Sequence, residues 1–225
     1  MSTGIVIQAR MGSSRLPGKV LRPIAGRPLL AHVTGRLDGL RHRARAVIAT
    51  SALDRDDAVA DWCGPAGLDC FRGSEDDVLD RYLRCAEAFG FERVVRLTAD
   101  NPFTDMEELD RLLDLHGAGG FAYCHSFGMM PLGVGAEVMT SEALARSHAE
   151  GHEPHHREHV NEYVQEHPEL FTTGVLDVPA AKRRPDLRLT VDTEEDWRRA
   201  CRLAGQAPDR WLSTLELIAL CSSSA

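Results

Sequence analysis

The chain has 225 residues, 43% of them hydrophobic, and its 34 acidic and 26 basic side chains give a net charge of −8. That length holds one large domain or two small ones, and that apolar share excludes an intrinsically disordered chain. The negative balance excludes nucleic acid as a general partner, and the lack of any run of about 18 apolar residues excludes a membrane span.

The distribution of charge says more than the total. Residues 1–50 hold nine Arg or Lys against one acid, Asp38, while the remainder carries 17 basic and 33 acidic residues. A basic amino-terminal portion in an acidic protein suits an anionic small molecule, although Arg41, Arg43 and Arg45 also read as a solvated stretch before a strand. The six cysteines (Cys63, Cys70, Cys85, Cys124, Cys201, Cys221) show no C-x-x-C spacing and are expected as free thiols, mostly buried. No amino-terminal stretch has the make-up of a secretory leader, so a soluble cytoplasmic protein is expected.

In chain order, residues 4–7 read as a buried first strand, followed by Gln8-Ala-Arg-Met-Gly-Ser-Ser-Arg-Leu-Pro-Gly-Lys19. Arg10, Arg15 and Lys19 are three cations within ten residues, and Gly12, Ser13 and Ser14 let a polyanion approach backbone amides and hydroxyls. Gly12 and Gly18 open backbone angles closed to other residues, and Pro17 stiffens the turn between them. A loop after a first parallel strand is where open α/β sheets bind ligands. It is not the G-x-x-x-x-G-K-[ST] phosphate loop, because Val20 follows Lys19 where a magnesium-binding hydroxyl would stand.

Residues 20–24 then read as extended, and Gly26-Arg27-Pro28 as the opening of a helix to about residue 37. A strand at 46–50, a helix at 54–62 and a short strand at 68–71 follow. Ser74 is the expected cap of an amphipathic helix ending near 89, with Asp77 three residues on. Residues 94–98 form a fourth strand, 106–116 a helix and 121–124 an extended piece. Alternation at this spacing predicts βαβ units and a mainly parallel sheet. From 125 the pattern breaks into a glycine-rich connection, a strand at 136–139, a helix at 141–149, a histidine-rich stretch, strands at 171–178 and 187–191, and helices at 194–204 and 215–221. No linker divides the chain, so one domain is expected, with 1–124 as a nucleotide-binding half and about 125–185 as a substrate-binding insertion.

Ala9-Arg-x-x-Ser-x-Arg-Leu-Pro-Gly-Lys19 resembles the signature of the cytidylyltransferases that activate acidic sugars, such as the KDO and sialic acid CMP-synthetases. With Gln8 before it and Val20-Leu21 after it, the stretch most resembles the spore-coat-polysaccharide-type cytidylyltransferases. The resemblance implies a three-layer nucleotide-diphospho-sugar transferase (GT-A-like) fold with CTP over this loop. It implies Gln8, Ala9, Arg10, Gly12, Ser13, Arg15, Lys19, Ser74, Thr98 and Asp100 as nucleotide contacts, with Arg10, Lys19, Asp100 and Asp192 catalytic.

The acids also stand out on their own terms. Asp100 in Leu97-Thr-Ala-Asp-Asn-Pro102 and Asp192 in Leu189-Thr-Val-Asp-Thr-x-Glu-Asp196 each follow an expected strand. Each has an ordinary use as a helix cap, for which Asp105 is better placed than Asp100. Together with the first loop they form cations for phosphates and two carboxylates for a hard cation, the inventory of a magnesium site. Ser74 can face a cytosine or simply cap its helix, and Arg81 is expected to pair with Asp77 four residues earlier.

His148, His152, His155, His156 and His159 crowd into twelve residues. His155 and His159 are an i, i+4 pair that could share a metal, but the intervening sequence is not that of a zincin. Arg157-Glu-His-Val160 resembles an element of the spore-coat-type acceptor region, and Glu137 an acid of that region, so Glu137, Arg157 and His159 are expected at the acceptor. The resemblance implies magnesium-dependent transfer of CMP from CTP to a small anionic acceptor with release of pyrophosphate, and a homodimer is expected as the partner arrangement. Another nucleotide or glycosyl transfer on the same fold, or a non-catalytic nucleotide-binding module, are the alternatives.

Overall fold

A computed structural model describes residues 1–223. The apolar run after the amino terminus forms β1 (Thr3–Gln8), and the loop beyond it closes on one turn of 3-10 helix at Lys19–Leu21. An antiparallel ribbon of β2 (Pro23–Ile24) and β3 (Arg27–Pro28) leads into α1 (Leu29–Arg36). Then follow β4 (Arg45–Ser51), α2 (Asp57–Cys63), β5 (Asp69–Gly73), α3 (Val78–Phe89), β6 (Arg93–Thr98) and α4 (Met106–Gly119). The second half supplies β7 (Tyr123–His125), β8 (Glu137–Thr140), α5 (Ser141–Glu150), α6 (Pro154–Glu158), α7 (Glu162–Glu166), β9 (Thr173–Val175), α8 (Glu194–Ala204) and α9 (Thr214–Ser222).

The strands form a seven-stranded sheet in the order β5-β4-β1-β6-β8-β7-β9. β4 and β6 flank β1 in parallel, β5 adds in parallel to β4, and β9 in parallel to β7. β8 alone runs antiparallel to both its neighbours, β6 and β7. This is the α/β architecture that the alternation predicted, because a parallel neighbour requires a crossover and the chain supplies a helix for it.

Side chains alternate across the sheet with a period of two, so each face has its own core. Ile5, Ile7, Ile48, Val95 and Leu97 join one cluster with Leu29 and Leu30 of α1, Leu109 and Leu112 of α4, and Ala200 of α8. Val6, Val47, Ala49 and Val94 join the other with Leu79 and Tyr82 of α3 and Leu144 of α5. On that second face the apolar pattern stops one step short of the carboxyl edge. Val6 gives way to Gln8, Val94 to Arg96 and Thr98, and Glu137 stands in register with Arg96. Polar side chains at that edge need polar partners, from the protein or from whatever occupies the edge.

Several boundaries differ from expectation for identifiable reasons. Residues 24–27 make a tight ribbon turn because Ala25 (φ 46°) and Gly26 (φ 82°) are both left-handed, as a primed hairpin turn requires, so α1 starts only at Leu29. The cap of α3 is Asp77, whose carboxylate accepts from the Asp80 amide at 2.8 Å. Ser74 instead accepts the Asp77 amide at 3.0 Å, fixing the turn before the helix. Residues 187–191 are not a sheet strand: one bridge joins Arg188 to Leu132, and the Val191 amide donates to the Asp100 carbonyl at 2.8 Å. That segment crosses the carboxyl edge and ties two loops together. The strand expected at 171–178 contracts to β9. All six cysteines are free.

His116 on α4 is 4% exposed, and neither ring nitrogen has a protein partner. Burial, helped by Arg93, lowers its pKa from 6.5 to about 4. Between those values the unfolded chain holds a proton that the native state excludes, so stability is full above pH 6.5 and falls as pH drops toward 4. His116→Leu is expected to blunt the loss by about 2 kcal/mol between pH 7.5 and 5 in urea unfolding. Identical pH dependence in the two proteins would show that His116 does not titrate this way.

Candidate active site

The loop after β1 is built around two anchors. Asp56, fully buried, accepts the Met11 amide at 2.6 Å and also a hydrogen bond from the Ser51 hydroxyl. The Met11 carbonyl in turn accepts the Ser13 amide at 2.9 Å and the Gly18 amide at 3.0 Å. Gly18 reaches that carbonyl with φ 70°, a left-handed angle that a side chain would strain. A Cβ on Gly12 would come 3.0 Å from the Arg55 guanidinium, so the loop's first glycine makes room for a neighbouring cation.

Lys19 leaves this loop into the 3-10 turn, and its ammonium is the hub of the site. Nζ donates to Asp100 Oδ2 at 3.0 Å, to Asp192 Oδ1 at 3.0 Å and to the Val191 carbonyl at 2.8 Å. Arg15 approaches Asp192 Oδ1 to 3.2 Å, and Arg188 donates to its other oxygen. Burial pushes the Asp192 carboxyl up, but Lys19, Arg15 and Arg188 outweigh it and hold the group below its usual range. Two carboxylates 92 residues apart in sequence thus converge on one cation. The donor set, two hard oxygens already gathered about a positive charge beside further cations, fits a divalent cation that also binds phosphates.

These groups line a cavity of about 910 Å³ over the carboxyl edge of the sheet. Small-ligand sites run from about 300 to 1,000 Å³, so this one has room for a nucleotide and a second small molecule. Of the residues singled out in the sequence, Gln8, Ala9, Arg10, Gly12, Ser13, Arg15, Lys19, Thr98, Asp100, Asp192 and His159 all line it. Arg10 stands 3.5 Å from Glu75 and 3.6 Å from Glu158 at the end of α6. Three buried polar atoms of cavity-lining residues have no protein partner: Gln8 Oε1, Arg81 Nε and Arg96 Nε.

The packing places other singled-out residues away from the lining or in other pairs. Ser74 is outside the cavity lining, its hydroxyl used in the turn before α3 and its carbonyl by Arg81. Arg81 lines the cavity, buried, and bonds that carbonyl; Asp77 is occupied by the cap and by Arg157, 3.3 Å away. Arg157 is likewise outside the lining, held by Asp77 and by the His148 carbonyl at 2.9 Å. Glu137 is fully buried beneath the floor, bonded to Arg96 and to the Tyr123 hydroxyl at 2.6 Å.

The histidines do not act as one group. His155 and His156, not His155 and His159, come together, both on Glu166, at 3.0 and 2.7 Å. His156 Nδ1 accepts the Glu153 amide at 3.3 Å, so its Nε2 carries the proton toward Glu166 and the trio braces α6 against α7. Arg96, Arg188, Asn101 and Glu158 line the cavity without having been singled out. Arg96 had a signal, a charge inside an apolar strand, but nothing in the sequence tells which partner buries it.

A cytidylyltransferase family model matches residues 4–217. The spore coat polysaccharide biosynthesis protein SpsF of Bacillus subtilis (strain 168) is 40% identical over 223 residues, covering 96% of this chain and 92% of that one. A 3-deoxy-manno-octulosonate cytidylyltransferase of Anaeromyxobacter dehalogenans is 34% identical over 118 residues, 51% of this chain and 47% of its own. A solved cytidylyltransferase of Leptospira borgpetersenii superposes with a TM-score of 0.92 at 30% identity, covering 100% of this chain and 95% of that one. CMP:2-keto-3-deoxy-manno-octonic acid synthetase complexed with CTP shares the fold, with a TM-score of 0.72 at 18% identity and coverage of 92% and 99%.

Proposed function

This chain belongs to the cytidylyltransferase family, CTP-using nucleotidyltransferases, and from that premise we propose that it transfers CMP to a small anionic acceptor, a sugar acid or a related compound. The observation that supports the reading is the make-up of the cavity lining. Arg15, Lys19, Asp100 and Asp192 are gathered by ion pairs, and Arg96, Ser126, Phe127 and His159 are among the other residues of the same lining. The first set has the charges for a triphosphate, and the second has donors for an acceptor.

An acceptor oxygen attacks the α-phosphorus, forming the new oxygen–phosphorus bond as the bond to the β-phosphate oxygen breaks and pyrophosphate leaves. Lys19 and Arg15, already fixed at Asp192, neutralise charge that spreads over the phosphates as the leaving group departs. Asp100 and Asp192 would hold magnesium, which supplies further neutralisation of the triphosphate. The Ser13 and Ser14 hydroxyls and His159, all in the lining, bind and orient. The acceptor part is assigned to about 125–185 together with Arg96. A homodimer in the cytoplasm completes the reading; among the described residues no helix is long and apolar enough to cross a membrane.

The test is pyrophosphate release with CTP, UTP and GTP in turn, across a panel of nonulosonic acids, other sugar acids and phosphonates, with and without magnesium. Release is expected with CTP and one anionic class only, and to stop with EDTA. A preference for UTP or GTP, or release that needs no acceptor, would sink the assignment.

A further inference from the structure

Arg96 is a largely covered charge in the cavity wall. It stands in the middle of β6, where Val6 of β1 and Glu137 of β8 are its register partners. Its side chain is 13% exposed against none for Glu137, yet it lines the cavity. One Nη1 donor goes to Glu137, and Nε has no protein partner. Burial works against its charge, and Glu137 with Tyr82 and Tyr123 more than compensates, so the guanidinium stays ionised.

Glu137 is itself held. Tyr123 donates to its second oxygen at 2.6 Å, and Gln165 of α7 donates to the Tyr123 hydroxyl at 3.1 Å. This chain of bonds runs from α7 under the floor to the guanidinium, and fixes its plane. The guanidinium is thus pinned from behind by Glu137 while part of it stays open to the cavity, where a ligand can reach it. Its place along the cavity decides which ligand. Lys19 and Arg15 belong to the loop after β1, whereas Arg96 pairs with Glu137 of β8, next to Ala136, whose amide donates at 3.0 Å to the hydroxyl of the cavity-lining Ser126. That is the acceptor side.

We propose that Arg96 grips the anionic group of the acceptor, a carboxylate or phosphonate, and that Glu137 is a positioning residue that the acceptor does not touch. The inference rests on the transfer reading above. An arginine suits the task because its planar fork matches a two-oxygen anion, which lysine cannot reproduce. It also gives the glutamate of β8 a purpose that its distance from the cavity otherwise denies.

The experiment compares wild type with Arg96→Gln, Arg96→Lys, Glu137→Gln and the double Arg96→Gln/Glu137→Gln. Readouts are acceptor KM, CTP affinity by calorimetry, and Tm of the CTP-loaded protein with N-acetylneuraminate, 3-deoxy-manno-octulosonate, methylphosphonate or neutral mannose. Arg96→Gln should raise acceptor KM about 30-fold or more, Arg96→Lys less, and Glu137→Gln about 10-fold, with CTP affinity within about threefold. The double variant removes both buried charges, so it should regain the Tm lost by the single variants while keeping the KM defect. A double variant with normal KM would make the pair structural and overturn the proposal. So would unchanged KM in Arg96→Gln, or a wild type that none of the three anions stabilises over mannose. If the wild type releases no pyrophosphate at all, the transfer reading fails, and protection of wild type but not the double variant by an anion still establishes the Arg96 site.

Discussion

Lys19→Ala is expected to lower turnover with CTP by about 100- to 1,000-fold, the scale for losing one fixed donor to charge that develops in a transition state. The ammonium is buried and bonded to two carboxylates and a carbonyl, so it is held in place before any ligand arrives. Its removal also leaves Asp100 and Asp192 facing each other without the cation between them. Lys19→Arg should recover part of the rate, because the charge returns while the compact fit does not. Steady-state pyrophosphate release, with Tm as the folding control, checks both. Turnover within about threefold of wild type in Lys19→Ala would remove this loop from the chemistry.

Asp192→Asn is expected to cost more than Asp100→Asn, and the two together less than the sum of the single losses. Asp192 is tied to Lys19, Arg15 and Arg188, whereas Asp100 is tied to Lys19. Groups that serve one centre are not additive, since the first loss already disables most of what the second contributes. The pH profile gives a second check. The cations hold Asp192 below its usual range, so its charge, and whatever it contributes to the site, is present above that range and lost only as pH falls through the lowered value. Strict additivity of the rate losses, at saturating magnesium, would mean that the two acids do separate jobs.

How much of this could be read from the chain depends on the range of the interaction involved. The loop from Gln8 to Lys19 was legible because its glycines, proline and cations act within twelve residues. The parallel sheet was legible because its period switches along the chain. The cap of α3 went to Asp77 instead of Ser74 because Ser-Glu-Asp-Asp offers two caps three residues apart, and only the path of the preceding turn chooses. The 187–191 segment has the alternation of a strand, but its partners are the Leu132 and Asp100 carbonyls, both on loops. Arg96 and Glu137 lie 41 residues apart, and their meeting depends on β8 entering the sheet antiparallel between β6 and β7. No local pattern encodes that insertion.

The ion pairs around Lys19 have a consequence for what can enter the site. A phosphate ion alone would draw Lys19 and Arg15 away from Asp192 and find itself beside two exposed carboxylates. A divalent cation alone would take the carboxylates and crowd against the cations it displaced. Each half-loaded state exchanges a satisfied contact for a repulsion, which weak shielding inside the cleft does little to relieve. A ligand that brings both signs at once trades every pair for another. A polyphosphate salt of a divalent cation is therefore expected to bind more tightly than phosphate or the cation offered alone, which calorimetry with each in turn checks.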